Sequence, residues 1–180
     1  MIEKTEFGKK VNRRPLIVSL LLSLIAGGLG SFISFSVALG LFLVVFFLSI
    51  FIYYPSNLPK LFGHWQLEKH GVSYYKLISY HDRLKMIFLP DRIDYQFISF
   101  SQVKKCYIIE RDKEYDLQNI LTIKPAKQSF FPWLRKPFYL ALDLNKGKIL
   151  LDLSWNQQHD PKNTLYRVSN VLKIITEKIN

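Results

Sequence analysis

The residues able to do acid–base, nucleophilic or metal chemistry are few and scattered. His64 and His70 stand six residues apart across a stretch read as a strand, and a rise of about 3.3 Å per residue separates them by about 20 Å, too far to share a metal ion. His81 lies in a turn-like connection beside Asp82, and His159 precedes Asp160, whose carboxylate is explained as a helix cap. All four histidines read as solvated polar side chains. Cys106 is the only cysteine, which excludes an intramolecular disulfide and a Cys-based zinc site. Its neighbours Lys104 and Lys105 could lower a thiol pKa, but its place in an alternating strand reads as a buried, inert thiol. Asp112, Glu114 and Asp116 fall in "ERDKEYD", a solvated loop by composition. Walker, dinucleotide-type glycine, HExxH and GxSxG motifs do not occur. The expectation is a non-enzymatic chain without catalytic, metal or cofactor site.

A different chemistry is concentrated in "SFFPWLRKPF", Ser129 to Phe138, with four large aromatics, two prolines and two adjacent cations. Pro132 and Pro137 lack the donor that a central strand needs, so this segment is a loop. Three readings fit it. Its aromatics fold back over the domain core, or it binds a protein, or it touches lipid. In the lipid reading Phe130, Phe131 and Trp133 sit at headgroup depth while Lys127, Arg135 and Lys136 face anionic lipid, the composition of an interfacial anchor.

The elements that must carry such a loop begin with Pro15 to Tyr54, forty residues without an acidic, basic or histidine side chain. A bilayer crossing takes about 20 apolar residues, so the run fits two helices with a tight turn at "AGGLGS", Ala26 to Ser31, where glycine tolerates the backbone angles. A signal peptide and a monotopic hairpin that dips into one leaflet compete with this reading. Lys9, Lys10, Arg13 and Arg14 precede the first helix and hold that end in the cytoplasm. Two crossings then leave both termini cytoplasmic in a multi-pass protein of the cell membrane. "YYPSNLP" marks the exit, with two prolines that stop the helix.

Short strands follow: "HWQLEK", "VSYYKLIS", "RLKMIFLP", the stretch "YQFISFSQVKKCYIIERD" holding two, "NILTIKP", and "FYLALDL" joined to "KILLDLSW" by a hairpin at "NKGK". Asp160 and Pro161 then open an amphipathic helix over 161–179, with Leu165, Val168, Leu172, Ile175 and Ile179 on its apolar stripe and Lys162, Arg167, Lys173 and Lys178 on its wetter side. The expected organisation is a basic N-terminus (1–14), a transmembrane hairpin (15–54), a linker (55–63) and a β domain with a C-terminal helix (64–180). The fold class is a membrane-anchored α+β protein.

Seven or so strands closed by one amphipathic helix are similar to the pleckstrin-homology superfold. "ISFSQVKKCYII" resembles a segment of its bacterial versions through Ile98, Phe100, Val103 and Tyr107. A two-helix hairpin joined to such a domain resembles the YcxB-like kind of small bacterial membrane protein. The resemblance implies an antiparallel barrel or sandwich plugged by the helix, in a membrane-tethered cytoplasmic module that binds proteins or lipids. It implies no catalytic residue.

Charge narrows the partners. There are 25 Lys and Arg against 14 Asp and Glu, for a net charge of +11. The cations are scattered over strands and loops rather than interleaved with aromatics on one platform, which argues against nucleic acid. A domain held at an anionic leaflet has a direct reason to be basic. The first functional expectation is therefore a binding or scaffold module that docks on the inner leaflet and recruits or regulates a membrane or cell-envelope protein. The second is an oligomeric transport or pore component assembled through Gly27, Gly28, Gly30, Ser31, Ser34, Ser36 and Gly40.

Overall fold

A computed structural model describes residues 5–179; residues 1–4 and Asn180, which fall in the expected N-terminus and β domain, lie outside it. The chain divides into a helical unit, Val11–Leu58 with Lys76–Asp94, and a β unit built from the other described residues.

In the helical unit the apolar run forms α1 (Arg14–Ser31) and α2 (Phe35–Phe47). The turn is not at the glycines. Helix α1 runs through all of "AGGLGS", and the chain reverses at Phe32–Ser34, where the Ser34 hydroxyl caps α2 by accepting from the Val37 amide at 3.3 Å. The glycines have another use. A Cβ on Gly30 would stand 2.8 Å from the Ala38 Cα, and one on Gly27 would stand 3.2 Å from the Phe42 Cβ, so their missing side chains let the two arms approach closely.

The prolines of "YYPSNLP" do not stop the second helix. It continues through a π-helical stretch (Leu48–Tyr53) into α3 (Tyr54–Leu61), so the expected linker is helical over most of its length. By the helical pattern Pro55 has no N–H for the Phe51 carbonyl, and Pro59 has none for the Pro55 carbonyl. Both oxygens are served from α4 (Tyr80–Phe88). The Tyr80 hydroxyl donates to Phe51 O at 2.8 Å and Arg83 Nη1 donates to Pro55 O at 3.2 Å. Two helices, Arg14–Ser31 and the continuous Phe35–Leu61, are long and apolar enough to cross a membrane.

Helix α4 replaces the strand expected at "RLKMIFLP". The apolar cluster Met86–Leu89 suggested a strand, but the segment opens with a reciprocal cap, in which Ser79 Oγ accepts from the Asp82 amide and Asp82 Oδ2 accepts from the Ser79 amide, each at 3.1 Å. That cap fixes a helical first turn.

The β unit holds two antiparallel four-stranded sheets. One has the order β1 (Glu6–Phe7), β2 (Trp65–Leu67), β3 (Gly71–Tyr75), β4 (Tyr95–Ser99). The other has the order β6 (Lys113–Tyr115), β5 (Val103–Glu110), β7 (Phe138–Leu144), β8 (Lys148–Asp152). Strand β1 comes from the segment read as a basic tail, and its two residues are too few to show a strand period. Phe7 nevertheless stacks on Trp65 with 4.4 Å between ring centroids. "NILTIKP" is not a strand but a 3-10 turn at Ile120–Thr122, with Ile120 and Ile123 buried. The β7–β8 hairpin at "NKGK" forms as expected, with Gly147 at φ +94°, a left-handed conformation that glycine adopts freely.

After a short α5 (Ser154–His159), α6 (Thr164–Ile179) lays Val168, Val171, Leu172 and Ile175 into the core beside Ile108, Leu140 and Leu142. It starts three residues after Pro161, and Asp160 Oδ1 accepts from the Asn163 side chain at 2.9 Å. Arg167 is not on the wet side. It is half-buried, with Nη2 donating to Glu6 O at 2.7 Å and its guanidinium 4.8 Å from the Phe7 ring centroid, which fastens β1 to the helix.

Candidate functional site

The connection from the Ile120–Thr122 turn to β7 presents the aromatic loop. A 3-10 turn, Pro132–Leu134, forms its tip, with Pro132 buried and the Leu134 amide donating to Phe131 O at 3.1 Å. Phe130, Phe131, Trp133 and Leu134 are 79, 49, 50 and 59 % exposed, so they do not fold back over the core. Their rings pack on one another instead: Phe131 lies 5.9 Å from Phe130 and 5.0 Å from Trp133, centroid to centroid. Phe138, the fourth aromatic, is fully buried at the start of β7. The sequence separates it from the exposed three as the first residue of the strand "FYLALDL", and β7 places it opposite Glu110.

The cations of the loop divide. Lys127 and Lys136 are exposed. Arg135 is half-buried and holds the loop: Nε donates to Ser129 O at 3.2 Å, Nη1 to Lys60 O at 2.6 Å and Nη2 to Gln158 Oε1 at 2.8 Å. Its expected lipid-facing role is replaced by an anchoring one, because a planar fork with five donors satisfies several fixed acceptors at once. The buried Gln128 adds a second fixing point, its Oε1 accepting from the Lys136 amide at 3.0 Å. Arg135 therefore ties the loop to the Lys60 carbonyl, near the end of α3.

The carboxylate of Asp152 is buried within electrostatic reach of Arg135. It accepts from Ser154 Oγ at 2.8 Å and from the Ser154 and Trp155 amides at 3.3 and 3.4 Å. Burial pushes its pKa up to about 6, against the opposing hydrogen bonds and the Arg135 charge.

The four cations expected to hold the N-terminal end in the cytoplasm lie just before and at the start of α1. Lys10 pairs with Glu6 at 2.7 Å and Arg13 with Asp91 at 2.9 Å, Lys9 lies 5.4 Å from the Phe62 ring centroid, and Arg14 opens α1 with its amide donating to Asn12 Oδ1.

The scattered chemical groups stay apart. His64 is buried, against the solvated reading: Nδ1 donates to Phe7 O at 2.9 Å, and burial lowers its pKa. That burial follows from β1, which covers it and which the sequence did not signal. His70 is exposed in the β2–β3 turn, His81 lies on α4, and His159 stacks on Trp155. Cys106 is buried and its thiol pKa is pushed up by desolvation, as its strand position suggested. Glu114 belongs to β6, not to a loop, and pairs with Lys148 at 3.6 Å. Among the described residues no three His, Cys, Asp or Glu side chains form a group able to hold a metal ion. No protein-family model, curated protein or solved structure matches the chain.

Proposed function

We propose that the protein is a membrane-tethered, non-enzymatic binding module. Its hairpin lies in the cell membrane with both termini in the cytoplasm, and its β unit docks on the anionic inner leaflet to recruit or regulate a membrane or cell-envelope protein. The observation that carries the reading is the tip Phe130–Leu134, four large apolar side chains exposed together on a loop that Arg135 holds rigid. Exposed aromatics of this kind need a partner, and flanking Lys127 and Lys136 suit anionic lipid. The tether raises the local concentration of the loop at the surface, so a weak insertion suffices. The pleckstrin-homology-like reading belongs to the same proposal: two antiparallel sheets followed by a helix support it, and such domains bind proteins or lipids. Full-length protein in anionic vesicles containing acyl-brominated lipid tests the docking. Tryptophan emission is expected to be quenched in the parent and largely unquenched in Trp133→Phe; equal quenching of the two would remove the loop from the membrane.

An oligomeric transport or pore component is the second reading. It is favoured by Gly28 and Gly40, where an added Cβ would meet nothing within 4 Å, leaving small outward positions for another copy. A discrete ring in mild detergent would support it, and a monomer or heteromeric complex would reject it.

A further inference from the structure

Helix α4 and the corner after it are unexplained by a β unit that docks through one loop. The helix is fastened to both arms of the hairpin at one end: Tyr80 and Arg83 bind carbonyls of the second helix, Phe88 lies 6.3 Å from Phe51 between centroids, and Asp91, just past the helix, pairs with Arg13 before α1. Large apolar side chains are exposed at both of its ends nonetheless. Ile78, Tyr80, Phe88 and Leu89 are 69, 51, 44 and 47 % exposed. Between this corner and the start of α1 is an open cleft of about 310 Å³, lined by the apolar Leu16, Phe88, Leu89 and Pro90 and by the charged Arg13, Asp91 and Arg92. In this unit Arg13, Arg14, Lys76, Arg83, Lys85 and Arg92 outnumber Asp82, Asp91 and Asp94.

We propose that α4 is an interfacial helix lying in the headgroup layer, and that its cleft takes an anionic phospholipid. The inference rests on the reading that the hairpin is in a bilayer. The apolar surface of α4 is continuous with that of the hairpin, because α4 packs directly on the last turns of the second arm and beside the first turn of the first. An element fixed at that level meets the boundary between acyl chains and headgroups, where an amphipathic helix with aromatic and basic residues is stable. The apolar walls suit the upper acyl chain; Asp91 holds Arg13 at 2.9 Å, so the Arg92 guanidinium is the cation that suits the phosphate. Charge complementarity selects anionic over zwitterionic lipid.

The test uses the full chain in a Cys106→Ala background, reconstituted in mixed bilayers and labelled with bimane at Phe88→Cys, at Leu43→Cys in the hairpin, or at Asp112→Cys as an aqueous reference. The quenchers are phosphatidylglycerol or phosphatidylcholine with a nitroxide at the top of the acyl chain. Quenching at position 88 is expected to exceed that at 112 and to be stronger with phosphatidylglycerol by up to about fivefold, the Boltzmann weight of one arginine near an anionic surface. Arg92→Gln should level the two lipids while leaving position 43 unchanged. If position 43 is quenched and position 88 matches position 112, the interfacial helix is wrong while the tethered reading stands. If position 43 also matches 112, both fall. Equal quenching by the two lipids in the parent would overturn the anionic cleft.

Discussion

The Tyr80 hydroxyl donates to the Phe51 carbonyl at 2.8 Å, the oxygen for which Pro55, four residues on, has no N–H. Arg83 does the same for the Pro55 carbonyl, which Pro59 cannot serve. Helix α4 and the two prolines thus form one device: the prolines open acceptors on the second apolar helix, and α4 is docked by filling them. This predicts a coupled pair. Tyr80→Phe should destabilise the helical unit by about 1 kcal/mol, the net worth of one hydrogen bond. In a Pro55→Ala background, where the backbone can donate, the same change should have a much smaller effect. Thermal unfolding of the four variants in detergent measures the coupling, and additive effects would break the link between the two sites.

The glycines of α1 are predicted to differ sharply. Gly30→Ala places a Cβ 2.8 Å from the Ala38 backbone, so the arms must part, at about 1–3 kcal/mol. Gly28→Ala points into open space and should be neutral or stabilising by up to about 1 kcal/mol through helix propensity. Melting temperatures in the same detergent that rank Gly28→Ala below Gly30→Ala would refute the observed face of contact.

How far the sequence could be read follows the physics of each signal. The apolar run, the β7–β8 hairpin and the buried stripe of α6 declare themselves through local periodicity and turn chemistry. The loop at Phe130–Trp133 was legible because prolines and aromatics are a local composition. What stayed hidden depends on distant partners. Strand β1 is two residues long and exists because Trp65 and Arg167 meet Phe7. The anchoring role of Arg135 needs Lys60, 75 residues away in sequence. The glycines of "AGGLGS" carry two meanings, freedom to turn and absence of a side chain, and only the facing Ala38 decides between them.

The α6 stripe supports a paired test in the full chain, since cutting away the first residues would remove β1 with its stacked Phe7. Leu172 is fully buried and Lys173 is exposed. Leu172→Asp should cost several kcal/mol by placing a charge in the core, while Lys173→Ala should change stability by less than about 0.5 kcal/mol. Indistinguishable unfolding of the two would reject the assigned helix face.

Two buried groups should give the β unit opposing pH responses. Asp152 has its pKa raised by burial from 3.8 to about 6, so the folded state binds its proton more tightly than the unfolded chain does. Its contribution is then fully favourable below about pH 4 and is lost as pH rises through 6, on the order of 2 to 3 kcal/mol. His64 runs the other way. Burial lowers its pKa from 6.5, the unfolded chain takes up the proton first, and stability falls as pH drops below about 6.5. Between pH 4 and 6.5 the two slopes partly cancel in the parent. Asp152→Asn keeps an oxygen acceptor for the Ser154 and Trp155 amides and removes one titration, so its melting temperature should fall more steeply than that of the parent from pH 6.5 to 5. His64→Asn keeps a donor for Phe7 O, and its melting temperature should rise over the same interval. Parallel profiles for the parent and both variants, at constant ionic strength, would show that neither group titrates in the folded protein as its burial requires.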